Sequence, residues 1–234
     1  MSINAQLLPA LSAVGFTHAP VAMAFLPEPP PDLERIAWAE PAGCGYWKQA
    51  SEGRSFYTTA DDHANCPVGA FTHGVELSPG KGQELQALIG TMIELRYLAS
   101  DEVPTIPHRT EPMQIAAYAP LTQASFTPDV VVFRGNVRQI MLMSETARAA
   151  GVFQSGAVMG RPACAMIPQA IDSAAGVASV GCIGNRVYTG LGDDELYFTV
   201  PGGQVNQVLE KLETILTANR DLEVFHRNRA ASLT

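Results

Sequence analysis

A chain of 234 residues that is 47% hydrophobic and only 16% charged carries enough apolar material for one large domain or two intimate halves, and its sparse charge fits a homo-oligomer. The net charge of −8, with no Lys/Arg cluster, excludes a nucleic-acid footprint and disfavours an anionic membrane surface. No apolar run approaches the roughly 20 residues of a bilayer span, and the first residues lack the basic stretch of a signal peptide, so a cytoplasmic protein is expected.

In chain order, Ile3, Leu7, Leu8, Leu11 and Val14 recur at helical spacing and predict an N-terminal helix within residues 1–19. PVAMAFL (20–26) is of strand type and is broken by the prolines of 27–32. The Cys44 segment comes next, and then SFYTTADDHANC (55–66), a β-prone stretch with an Asx-rich turn. Gln83 to Leu98 predicts a helix with Leu85, Leu88, Ile89, Met92 and Leu95 on one face. The proline-punctuated stretch 100–112 is the candidate boundary, dividing a first half (20–112) from a second (113–234).

The second half opens with a predicted strand over 113–121 and another over 128–135, the latter continuous enough to be buried on both faces. Val137 to Ala150 predicts a helix closed by Gly151. The Cys164 segment comes after it, and the glycines of 181–193 read as tight turns around a strand. A strand over 193–201 ends in proline, and Val205, Val208, Leu209, Leu212, Ile215 and Leu216 form a helical face before a polar tail expected to fray. Strands alternating with helices predict an α/β class, with α+β as the alternative.

Landmarks recur in order. Cys44 and Cys164 each open a Cys-x4-Gln-Ala, and Cys66 and Cys182 each stand eight residues before a glycine, Gly74 and Gly190. Pro79 and Pro201 open similar segments, as do Pro20 and Pro128. This predicts an internal duplication, two halves packed about a pseudo-twofold axis as one unit, with the four cysteines at equivalent positions. Thiols in a reducing compartment are buried hydrophobes, metal ligands or reactive groups. Cys44, Cys66, Cys164 and Cys182 are therefore candidate ligands for an iron–sulfur cluster or, alternatively, zinc, although their long spacings match neither a zinc ribbon nor a bacterial ferredoxin.

Three other readings stay open. Asp62, His63, Cys66 and His73 lie close enough in sequence to hold zinc or iron in the first half alone. Backbone amides at Gly69 and Gly184, with Arg186 as clamp, suit a small anion or metabolite in a binding module that uses no metal. Cys66 or Cys182 with His63 or His73 as base would make a thiol enzyme. The expected partner is accordingly a small-molecule ligand or a redox protein.

These segments carry a resemblance. APLTQASFTPDVVVFRGNVRQIMLM (119–143) resembles the stretch with which the uncharacterised family called domain of unknown function 169 enters its second half. PVAMAFL, GRSFYTT before Cys66-Pro67-x-Gly69, and GCIGNRVYTG before a strand ending in Pro201 are similar to that family in the same order, from about Pro20 to about Leu216. The resemblance implies a shared fold and a cytoplasmic setting, and no mechanism.

Overall fold

The computed structural model describes residues 3–159 and 161–232, and the side chains of 154–159 stand outside that description. A 3-10 turn at Ala5–Leu7 leads into α1 (Leu8–Ala13) and then β1 (Val21–Leu26). Next come α2 (Gly43–Ser51), β2 (Phe56–Thr59), α3 (Ala60–His63), α4 (Pro67–Thr72), α5 (Pro79–Glu94) and β3 (Ile115–Pro120). The remainder is β4 (Val130–Asn136), α6 (Val137–Ala149), β5 (Phe153–Met159), α7 (Met166–Ser173), β6 (Gly176–Ser179), α8 (Ile183–Thr189), β7 (Glu195–Pro201) and α9 (Val205–Ala231). No helix among the described residues is long and apolar enough to cross a membrane.

The strands form one sheet in the order β2-β3-β1-β4-β7-β6-β5, antiparallel at every junction but β5–β6. The mixed α/β class is as expected, and its pairing leans to the α+β alternative. Successive residues of a strand point to opposite faces, and the central strands have two cores to serve. On one face, Val21, Met23, Tyr118, Val130, Val132 and Tyr197 pack against Tyr46 and Trp47 of α2 and Met166 and Ile167 of α7. On the other, Ala22, Val131, Phe133, Phe198 and Val200 pack against Leu11, Ile140, Met143 and the Val208/Leu209/Leu212 face of α9. Burying each such large apolar side chain stabilises by about 1.5–3 kcal/mol, which is why VVVF in β4 needs no polar alternation.

Pairing registers place the strands to the residue. Val21 of β1 faces Pro120 of β3, as Val130 of β4 faces Pro201 of β7. Just beyond each pair, Leu121 N–H donates to the Pro20 carbonyl at 2.8 Å and Gly202 N–H to the Asp129 carbonyl at 2.7 Å. Where β1 meets β4, Val21, Ala22 and Met23 face Val132, Val131 and Val130.

Several sequence expectations are corrected. The 181–193 glycines belong to helix α8 and its ends rather than to turns around a strand: Gly184 lies inside α8, and Gly190 ends it in the left-handed conformation at φ 65°. The Asx-rich turn is the short helix α3, which Thr59 and Asp62 close with a reciprocal capping box. Pro79 starts α5 ahead of β3, whereas Pro201 ends β7 ahead of α9, so these two similar segments occupy different points of the element order. The C-terminal segment does not fray: α9 runs to Ala231, with Glu223 bonded to Arg227 and Arg138 on its outer turns. Met1, Ser2, Leu233 and Thr234, at the ends of the expected helix and tail, lie outside the described residues.

Candidate functional site

All four cysteines line one cavity of about 380 Å³ on the α2/α7 face of the sheet. None is in a disulfide. Each comes from the start of a helical segment. Cys44 is the second residue of α2, Cys66 is the N-cap of α4, and Cys182 is the N-cap of α8. Cys164 sits in the 3-10 turn Ala163–Ala165 that feeds α7. Helix starts carry unpaired N–H groups and a partial positive charge, which favours thiolate and other anions.

Burial works against ionisation. It pushes the Cys44 thiol up to about 12, opposed by a hydrogen bond from Asn185 and reinforced by the charges of Cys182 and Cys66. Burial also raises Cys66, although the Val68 and Gly69 N–H groups favour its charged form, the latter donating to Sγ at 3.4 Å. Cys164 is raised well above the usual thiol range, again by burial, with Thr72 as its hydrogen-bond partner and the other three cysteines adding repulsion. Even so, among the described residues no group of three or more His, Cys, Asp or Glu is drawn tightly enough to hold a single metal ion.

Of the other candidates, Gly69 and Gly184 line the cavity, and a Cβ on either would meet only ordinary contacts, the nearest at 3.6 and 3.5 Å. Arg186 lies outside the lining. It donates to the carbonyls of Gly192 and Val180, so it ties down its own loop. Asp62 is held by Arg35 and by Thr59, away from any shared donor set. His63 and His73 are buried behind the cavity wall, with ring centroids 5.6 Å apart. A Cβ on Gly43 would meet His63 Nδ1 at 3.0 Å, so that glycine lets α2 start against the imidazoles. His63 Nε2 meets Thr58 Oγ1 at 2.9 Å and the Tyr118 hydroxyl at 3.3 Å. Its Nδ1 and both nitrogens of His73 have no hydrogen-bond partner among the described residues. Burial lowers both histidines, His63 to about 4 and His73 well below the usual range, the latter also repelled by His63 and Arg109.

Sequence reasoning missed the cavity's other half. Leu85, Leu88, Ile89 and Met92 of α5, with Tyr97, Leu98, Val103 and Ile106 beyond it, make an apolar roof over the thiols. The period-3.6 stripe on α5 was legible, but it reads the same whether it faces a packed core or an open chamber. Asn185 is 2% exposed and also lines the cavity, and its Oδ1 has no partner among the described residues. Its position three residues after Cys182 was the only sequence signal for it.

Comparison with known proteins gives a family without an assigned activity. An uncharacterised protein of Methanocaldococcus jannaschii, MJ0308, is 27% identical over 168 residues, covering 69% of this chain and 71% of its own length. No solved structure matches. A family model matches residues 11–211, from α1 into α9, and takes in all four cysteines and the whole sheet. The chain belongs to the family domain of unknown function 169, described as an uncharacterised ArCR family.

Proposed function

We propose that Cys44, Cys66, Cys164 and Cys182 together hold one iron–sulfur cluster, and that redox or small-molecule chemistry takes place at it. The observation that carries this reading is that all the cysteines of the chain, from four separate helical starts, line the same cavity. A zinc site draws four ligands to about 2.3 Å from one point, and no described group is that tight. A four-iron cluster instead gives each thiolate its own iron and asks for wider spacing. Burial disfavours a bare thiolate, but iron takes the place of the proton. Helix starts on four sides then face the negative charge of a thiolate-ligated cluster. Free thiols and thiolate centres persist in reducing compartments, which supports a cytoplasmic location. The partner class for such a centre is a redox protein or a small-molecule ligand.

We also infer that the chain is internally duplicated. The β1–β3 and β4–β7 registers correspond residue for residue, Val21/Pro120 with Val130/Pro201. The β2–β3 and β6–β7 registers correspond as well, Phe56/Tyr118 with Val177/Thr199. The β1–β4 pairing is symmetric about Ala22/Val131, where a pseudo-twofold axis would pass. This assignment gives β3 to the first half, beyond residue 112. Superposing β1, β2 and β3 on β4, β6 and β7 should carry Cys44 onto Cys164 and Cys66 onto Cys182.

Anaerobic purification with iron, sulfide and zinc determination tests the cluster. The expected product is brown, absorbs broadly near roughly 400 nm and carries about four irons per chain. Each single Cys→Ser variant should lose iron. Colourless protein with stoichiometric zinc would replace the cluster with the zinc alternative. Wild-type protein without stoichiometric metal, or four variants with unchanged metal content, would overturn the ligand assignment.

A further inference from the structure

We propose that the outer face of α8, with the lip of the α5 roof beside it, is a dimer interface, and that its occupant is the same face of a second copy of this chain. This reading does not require iron.

Helix α8 is turned inside out. Its inward residues are Asn185 and Thr189, each 2% exposed, and its outward residues include Ile183 and Val187, 71% and 72% exposed. A helix on the surface of a monomer shows the opposite arrangement. Hydrogen bonds fix this orientation. Asn185 Nδ2 donates to the Tyr197 hydroxyl at 3.5 Å, that hydroxyl donates to Thr189 Oγ1 at 3.1 Å, and Thr189 Oγ1 donates to the Asn185 carbonyl at 2.8 Å. α8 therefore cannot roll its apolar side inward without stranding buried polar groups. Its one charged side chain, Arg186, folds back on the Val180 and Gly192 carbonyls. That leaves Val180, Ile183, Val187 and Tyr188 as an exposed apolar ridge. Ile183 and Tyr188 also line the cavity, as do the part-exposed Leu88 and Tyr97 of the roof. A ridge and a hollow, both apolar, thus stand side by side on one face. A twofold axis between them carries the ridge of each copy onto the hollow of the other, which makes the face self-complementary. Together with the exposed Leu95, these side chains present on the order of 700 Å² per chain, near the roughly 800 Å² per partner of a standard interface. A chain that is only 16% charged fits the burial of such a face. An anionic membrane is disfavoured by the net charge of −8. A small molecule inside the cavity would leave Val187, which does not line it, uncovered.

The experiment is sedimentation velocity of the full-length protein, as purified, from about 1 to 100 µM, since interfaces of this size hold at micromolar concentration or below. The wild type should sediment as a dimer of the 25.0 kDa chain. Val187→Glu on α8 and Leu95→Glu on the roof should each weaken the dimer by about a hundredfold or more, because the twofold doubles every substitution. Both positions are exposed in the single chain, so the variants should keep the wild-type far-UV circular dichroism. Phe225→Glu, at an exposed apolar position on α9, is the control and should leave the dimer intact. Iron content measured on the same samples reads the cluster separately, so the two readings fail independently. A wild type that stays monomeric at the highest concentration would overturn the second copy as occupant and leave the face to a different macromolecule. A dimer unchanged in either of the first two variants, or dissociated by Phe225→Glu, would overturn the placement of the interface.

Discussion

Acid should destabilise this protein well above the pH at which carboxylates titrate, because His63 is buried as a neutral imidazole. Its ring is 1% exposed, lies against Tyr46 and Tyr118, and is hydrogen-bonded to Thr58. Burial lowers it from 6.5 to about 4, only partly offset by Asp62. Between those values the unfolded chain is protonated and the folded one is not. Stability is then fully present above about pH 6.5 and falls as pH drops toward 4. Between pH 7.5 and 5, this one group removes about 2 kcal/mol. His73, fully buried and also lowered, acts in the same direction, as does His18 to a lesser degree of burial. Asp62 and Glu195, both held below the usual carboxylate range by their arginine partners, lose their contribution only at lower pH. Asp129, raised by burial, opposes the trend weakly. Urea unfolding at four pH values across this window measures the effect, with a constant m-value confirming that the same transition is being measured. In His63→Gln the loss should shrink by about 2 kcal/mol. An unfolding free energy that is flat from pH 7.5 to 5, or a His63→Gln variant with the wild-type pH dependence, would refute a neutral buried imidazole.

Two further contrasts probe the packing. Leu212→Ala, at 0% exposure, should cost about 2–5 kcal/mol by chemical denaturation, whereas Phe225→Ala on the outer part of the same helix, at 55% exposure, should stay within about 0.5 kcal/mol. Gly202→Ala drives a Cβ into the Pro128 carbonyl and should destabilise by roughly 1–3 kcal/mol or more. Gly203→Ala next to it meets nothing within 4 Å and should be near neutral, and a reversal of that order would mean that the β4–β7 end is placed differently.

Elements with a strong period were legible, and those governed by tertiary context were not. β1, β3 and β7 lie within the stretches where apolar runs predict strands and β4 overruns its own by Asn136 alone, while α6 ends at Ala149, just before Gly151 at φ 74° as its C-terminal signal requires. β5, at the edge of the sheet, and β6 beside it escaped because the sequences FQSGAVM and GVAS mix small and polar residues without a clear alternation. The Gly-Cys-Ile-Gly run read as turns because its glycines outweigh propensity, yet Gly184 is tolerated inside α8. The cysteines were legible as a set, through their recurrence, although no spacing rule predicts their common cavity. Asn185 as a buried side chain of the cavity wall, and His63 and His73 as buried neutral rings, were not legible, since these roles arise from what packs around them.

The inferred duplication would explain why these cysteines share one cavity and why its apolar roof is one-sided. An axis through Ala22/Val131 would exchange the two three-strand units and keep equivalent connections on the same face of the sheet. Helix α2 lies against α8, and α4 against the Ala163–Ala165 turn that feeds α7, and each of these four segments brings a cysteine. The halves differ in what lies between these shared parts. Between β4 and α7 the second half carries α6 and β5, which cover the opposite face and extend the sheet. Between α4 and β3 the first half carries α5 and the segment to Ile106, which roof the thiols from one side only. On this inference the thiol set would belong to the repeated scaffold, and the apolar wall of the cavity to an addition in one half. Substitutions on the Leu85/Ile89/Met92 stripe of α5 should therefore reshape that wall without moving a single cysteine.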